Sequence, residues 1–137
     1  MHIGVDSRSG LAHSAVVTAA NVHDKHPLPD LLHGNERRVY GDSAYASQKA
    51  LIGSKAPLAR DFTNERVRRD GEVDEAKRAK NRNKSKVRAR VEHVFAVVKR
   101  LWGFTKVRYR GLAKNATRSF VALGLANIYL ARQHLVA

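Results

Sequence analysis

The chain has 137 residues, of which 43% are hydrophobic and none is cysteine. That suits one domain with a real buried core, is too apolar for a disordered tail, and excludes a disulfide framework or a thiolate metal site. The formal net charge of +14 attracts a polyanion, and because basic and aromatic residues are not sorted onto opposite faces of one amphipathic helix, a membrane surface is the poorer partner.

The opening residues Met1-His2-Ile3-Gly4-Val5-Asp6 have neither the basic start nor the long apolar run of a signal peptide. Ile3–Val5 and Leu11–Thr18 read as two strands. The turn chemistry of Asp6-Ser7-Arg8-Ser9-Gly10 joins them, with Gly10 free to take positive φ. His23 to His33 reads as a short helix whose start is limited by Pro27 and Pro29. Arg38-Val39-Tyr40 is a short strand that runs into Gly41-Asp42-Ser43, and Ala44 to Ile52 is helical. Between Lys55 and Phe62, Pro57 argues for an edge strand or a loop.

A long helix is predicted from Asp74 to Leu101, with Asp74 and Glu75 favouring its amino end. Val87, Val91, Val94, Val98 and Leu101 recur at spacings of four and three and form its inward stripe. Gly103 ends it. Phe104 to Tyr109 is a basic connector, Gly111 a further turn, and an apolar helix follows from about Leu112 to His134. Its longest apolar stretch, Phe120 to Leu130, is too short to span a bilayer and carries Asn127.

Charge is distributed unevenly along these elements. Residues 1–60 hold seven Lys/Arg and five acids, whereas residues 76–137 hold sixteen Lys/Arg and a single acid, Glu92. So one-sided a segment is the footprint of nucleic-acid binding through phosphate contacts. The run Lys77 to Arg90, with Arg90 at its end, and Lys106, Arg108 and Arg110 of the connector are the candidate contacts.

One residue's rotation from the apolar stripe, about 100°, lie Arg88, Glu92, Phe95 and Lys99. Glu92 thus sits at the shoulder of the helix, where a cleft can open. An intrahelical pair with Arg88 is the alternative. Asp42 follows a strand, where carboxylates face the ligand crevice of open α/β sheets; the alternative is a helix N-cap. Together Asp42 and Glu92 suggest half of a two-metal site for attack on a phosphodiester, with hard oxygens suited to Mg²⁺. His23-Asp24-Lys25-His26 lacks a completed ligand set and reads as surface. His93 either assists Glu92 or packs, and Asp6 is a turn residue.

The spacing Ser85-x₂-Arg88-x₃-Glu92-x₆-Lys99 resembles the signature around the last catalytic carboxylate of DDE transposases of bacterial insertion sequences, with Ser85 in place of a tyrosine. His2-Ile3-Gly4-Val5-Asp6, Val39-Tyr40-Gly41-Asp42-Ser43-Ala44-Tyr45, Ala89-Arg90-Val91-Glu92-His93 and Val107-Arg108-Tyr109-Arg110-Gly111-Leu112 are similar to the insertion-sequence-five group. The resemblance implies an RNase H-like α/β fold with long basic C-terminal helices. Asp42 would be the second acid of the triad and Glu92 the third, both holding Mg²⁺ or Mn²⁺, while Arg88 and Lys99 grip DNA-end phosphates. The reaction would be strand cleavage at transposon ends followed by transfer into target DNA, in the cytoplasm at the nucleoid.

In that family the first catalytic Asp lies on a strand before the hairpin at which this chain starts. The expectation is therefore a single domain over 1–137, the C-terminal portion of a catalytic domain with its first, central strand missing. Such a chain would not transpose DNA alone and would work with an upstream fragment or a full-length transposase. A basic DNA-binding or transposase-inhibiting module without catalysis is the competing reading. A ribosomal-type RNA binder is a third, and it predicts no converging carboxylates.

Overall fold

The computed structural model describes residues 1–23, 25–69 and 72–135. They form a mixed α/β protein that divides into two compact units, Met1–Val22 with Arg90–Ala137, and His23–Ala89. The long helix α3 (Glu75–Leu101) contributes residues to both.

In the first unit, β1 (His2–Val5) pairs antiparallel with β2 (Ala12–Val16), Ile3 facing Ala15 across the ladder. The predicted turn closes the hairpin: Asp6 N–H donates to Leu11 O at 2.9 Å and Gly10 N–H to Asp6 O at 2.9 Å. Gly10 takes φ +74°, which a side chain would oppose. Asp6 gathers the turn onto one carboxylate oxygen, accepting from Ser9 N–H at 2.6 Å, the Ser9 hydroxyl at 2.7 Å and Arg8 N–H at 3.2 Å. The Ser9 backbone donor holds the Asp6 carboxyl below its usual pKa. Its contribution to the turn is therefore present above the ordinary carboxylate range and lost as pH falls through the lowered value.

The hairpin packs on helices through Ile3. The core consists of Ile3, of Val94, Val97 and Val98 from α3, and of Ala122, Leu123 and Ala126 from α4 (Leu112–Leu135), flanked by Val91, Phe95, Trp102, Phe104 and Leu130. The predicted stripe is right at Val94 and Val98, which are fully enclosed, but two positions differ. Val97 is buried, and Leu101 is 51% exposed. The reason is that Leu101 ends the helix; the chain then turns at Gly103, φ +57°, and Trp102 rather than Leu101 joins the core. Asn127, the polar interruption of the apolar stretch, has a structural use. Its side chain accepts from Ala12 N–H at 2.9 Å and donates to Ala12 O at 2.7 Å, serving β2 as a strand neighbour would.

In the second unit the helix expected over 23–33 shortens to α1 (Leu28–Leu31), begun at Pro27 and ended where Leu32 becomes extended. β3 (Arg38–Val39) is followed by a 3-10 helix (Ser43–Gln48), α2 (Lys49–Lys55) and β4 (Arg60–Asp61). β4 pairs parallel with β3, so the ambiguous segment after Pro57 is a strand, and the helical turns between make the crossover. Leu28, Val39 and Ile52 form this unit's core with Leu32, Tyr45, Leu51 and Ala59 around them. A further hairpin, β5 (Arg68–Arg69) with β6 (Glu72–Val73), was not foreseen from the sequence. Asp74 begins α3, its carboxylate accepting from Lys77 N–H at 3.0 Å.

Replacing Val94 or Val98 by Ala should lower unfolding free energy by roughly 1.5–3 kcal/mol, through lost transfer energy and a residual cavity. Leu101→Ala should cost distinctly less. Urea unfolding followed by circular dichroism measures both, and equal costs would place Leu101 in the core after all.

Candidate functional site

The site in the second unit is built on the end of the parallel pair. Arg60 N–H donates to Arg37 O at 2.9 Å, Phe62 N–H to Val39 O at 2.8 Å and Asn64 N–H to Gly41 O at 2.9 Å. The series keeps one register beyond the two paired residues of each strand, so Asn64 lies abreast of Asp42. The rings of Tyr40 and Phe62 stack at 5.2 Å, which puts these two residues on one face. At Gly41 a Cβ would come within 3.0 Å of the Tyr45 ring and 3.2 Å of Thr63, so any larger residue there requires these neighbours to give way.

Asp42 is half-buried and caps the 3-10 helix, accepting from Ala44 N–H at 2.9 Å through Oδ1. The capping alternative raised by the sequence is therefore real. It uses one carboxylate oxygen and fixes the direction of the other.

Loop 63–65 is tied to the first half of α3. Lys84 Nζ donates to Thr63 O at 2.9 Å, and Asn81 brackets Glu65, accepting from its N–H at 3.1 Å and donating to its carbonyl at 2.7 Å. Asn64 is 8% exposed, and its Nδ2 donates to the Ser85 hydroxyl at 3.1 Å. Its Oδ1 is buried without a hydrogen-bond partner, as is Oδ2 of Asp61, whose Oδ1 accepts from Thr63 N–H at 2.8 Å. An acceptor in that condition costs about 1–3 kcal/mol unless something meets it.

Further along α3, Arg88 is half-buried, and Glu92 and Lys99 are exposed. Glu92 is thus outside the core, as the helical spacing predicts, but it belongs to the first unit while Asp42 belongs to the second. Arg90 also lies in the first unit, where its guanidinium donates to Arg8 O of the hairpin turn at 2.7 Å.

The connector after α3 displays Lys106, Arg108 and Arg110 on an exposed loop. Two residues that the sequence reading passed over shape it. Arg118 lies over the Phe104 ring at 4.7 Å and donates to Lys106 O at 3.0 Å. Asn115 accepts from Tyr109 N–H at 3.2 Å and donates to the carbonyls of Tyr109 and Gly111, the latter at 2.6 Å. The available signal was an Asn four residues after the Gly111 turn, a spacing at which a side-chain amide reaches back to the carbonyl of residue i−4.

His23 and His26 meet edge to face at 6.4 Å, and His23 Nδ1 accepts from Lys25 N–H at 3.3 Å; Asp24 lies outside the described residues. Among the described residues no three His, Cys, Asp or Glu side chains are grouped as metal ligands. No helix among them is long and apolar enough to cross a membrane.

Compared with known proteins, residues 1–128 match the family model described as the transposase DDE domain. No solved structure matches the chain.

Asp42→Ala should remove the cap and cost about 0.5–2 kcal/mol, while Asp42→Asn, which still caps, should cost less. Thermal unfolding of the two variants measures this structural share separately from any chemical role.

Proposed function

The chain belongs to the transposase DDE-domain family, and on that footing we propose that it acts in DNA transposition, binding the ends of an insertion sequence and contributing to Mg²⁺-dependent strand cleavage and transfer on an RNase H-like scaffold. The observation that carries this reading is Asp42 on its half-buried turn at the end of the β3–β4 pair, in a chain whose residues 76–137 carry sixteen Lys/Arg against one acid.

Asp42 and Glu92 are the carboxylates assigned to the cation, Mg²⁺ or Mn²⁺. Their oxygens are hard donors of the kind these ions take, and the Ala44 N–H fixes the direction of the Asp42 carboxylate. When bound, the cation supplies Lewis-acid stabilisation of charge on the phosphodiester. Arg88 and Lys99 hold phosphates of the DNA end. Lys106, Arg108 and Arg110 extend the grip along the backbone from a loop that Asn115 and Arg118 keep in shape. Arg90 contributes charge to the same field while steadying the hairpin turn. The partners are transposon-end and target DNA, which places the protein on the nucleoid.

Two measurements test the reading. Assayed together with an added upstream fragment, Asp42→Asn and Glu92→Gln should each abolish Mg²⁺-dependent cleavage of DNA carrying candidate terminal repeats, while leaving DNA affinity within a few fold. Either variant cutting like the parent would overturn its assignment, and binding with no cleavage in any arrangement, including one supplemented with a full-length transposase, would favour a non-catalytic module. Affinity itself should fall roughly 10³-fold between 50 and 200 mM salt if about six phosphates are contacted. Arg108→Ala and Arg110→Ala should each reduce the salt slope by about one. Asn115→Ala should weaken binding with every cation still present.

A further inference from the structure

We propose that Asn64 is a second oxygen donor to the cation assigned to Asp42, oriented for that purpose by Ser85; the inference rests on the reading of Asp42 given above. The backbone places the two residues side by side. The bonds from Phe62 to Val39 and from Asn64 to Gly41 continue one parallel register, which sets Asn64 opposite Asp42. Parallel strands lie about 4.8 Å apart, and side chains alternate faces along each. The stacked Tyr40 and Phe62 rings identify one shared face. The same register, carried past the ends of the strands by the Asn64–Gly41 bond, sets Asp42 on its turn opposite Asn64 in the loop after β4, two residues beyond the stacked pair.

The chemistry of Asn64 agrees with this placement. The side chain is 8% exposed, which an asparagine tolerates only when its amide is satisfied. Its nitrogen is satisfied, by the Ser85 hydroxyl on α3. Its oxygen is not. An amide's oxygen and nitrogen diverge from one carbon, so the Ser85 contact decides where Oδ1 is aimed. Lys84, next to Ser85 on α3, is committed to Thr63 O. What remains is a neutral, hard oxygen without a partner, on a buried residue that the backbone register sets opposite Asp42. Mg²⁺ and Mn²⁺ accept such a carbonyl alongside carboxylates and water. Asp61, the other residue with an orphaned oxygen, stands opposite Val39 on the face that carries this unit's core, and so takes no part.

The test is Mn²⁺ binding to the full chain, followed by electron paramagnetic resonance of the free ion, with no DNA present. Asp42→Asn should remove the site. Asn64→Ala should weaken Mn²⁺ by at least about tenfold, the scale on which supporting residues of metal sites act. Asn64→Asp, which keeps the size and an oxygen, should bind as well as the parent or better, and Ser85→Ala should fall between. Circular dichroism checks that each variant folds; should Asn64→Ala fail, Asn64→Asp and Ser85→Ala decide. If Asp42→Asn loses Mn²⁺ while the Asn64 and Ser85 variants bind like the parent, Asn64 is a buried structural amide and the inference falls alone. If Asp42→Asn binds Mn²⁺ unchanged, the assignment of Asp42 falls and takes this one with it.

Discussion

Val94, Val97 and Val98 of α3 have to leave water while Lys99 and Arg100, the next two residues, have to stay in it. That conflict within two turns is resolved only by a helix with a fixed rotation, its valines against Ala122, Leu123 and Ala126 of α4 and Ile3 of the hairpin. The residues of the helix within this unit inherit that rotation. Glu92, two residues before Val94, is thereby held outside the core. The hairpin that covers this core needs its own support, and Asn127 provides it by reading both backbone groups of Ala12.

In the other unit, a parallel pair of only two residues per strand bears the candidate chemistry. So short a ladder is reinforced from outside. Ile52 from the crossover fills its core side, and the stacked Tyr40 and Phe62 close the opposite face. Asn81, Lys84 and Ser85 then tie the segment after β4 to α3. Polar side chains bonded to backbone carbonyls and to the Asn64 amide do here what a longer sheet does elsewhere, and they leave Asp42 on a turn whose direction is set by its own cap.

The positive charge of the C-terminal half has two separate uses. Some cations are internal fasteners: Arg118 on the connector, Arg90 on the hairpin turn, Lys84 on Thr63. Others are displayed, as are Lys106, Arg108 and Arg110 on a loop clasped by Asn115. Net charge alone does not separate the two groups, although only the displayed ones are free to meet a polyanion at small cost.

Period and composition by themselves determined the hairpin around Asp6–Gly10, the two long helices, the break at Gly103 and the position of Glu92 outside the core. Each depends on neighbours within about seven residues along the chain, a distance over which turn chemistry and helical rotation are decided locally. The strand-end position of Asp42 was legible for the same reason, and so was its capping bond. Tertiary structure alone decided that Leu101 is exposed and Val97 buried, since that depends on where α4 lies and where the helix stops. It decided that the segment after Pro57 pairs parallel with β3, because a two-residue strand has too few residues to show a period. It also decided the uses of Asn64, Asn115 and Asn127. An asparagine amide satisfies whatever backbone or side chain is brought to it, by loops as short as 109–115 or across the whole chain between residues 12 and 127, and no pattern along the sequence records which partner that is.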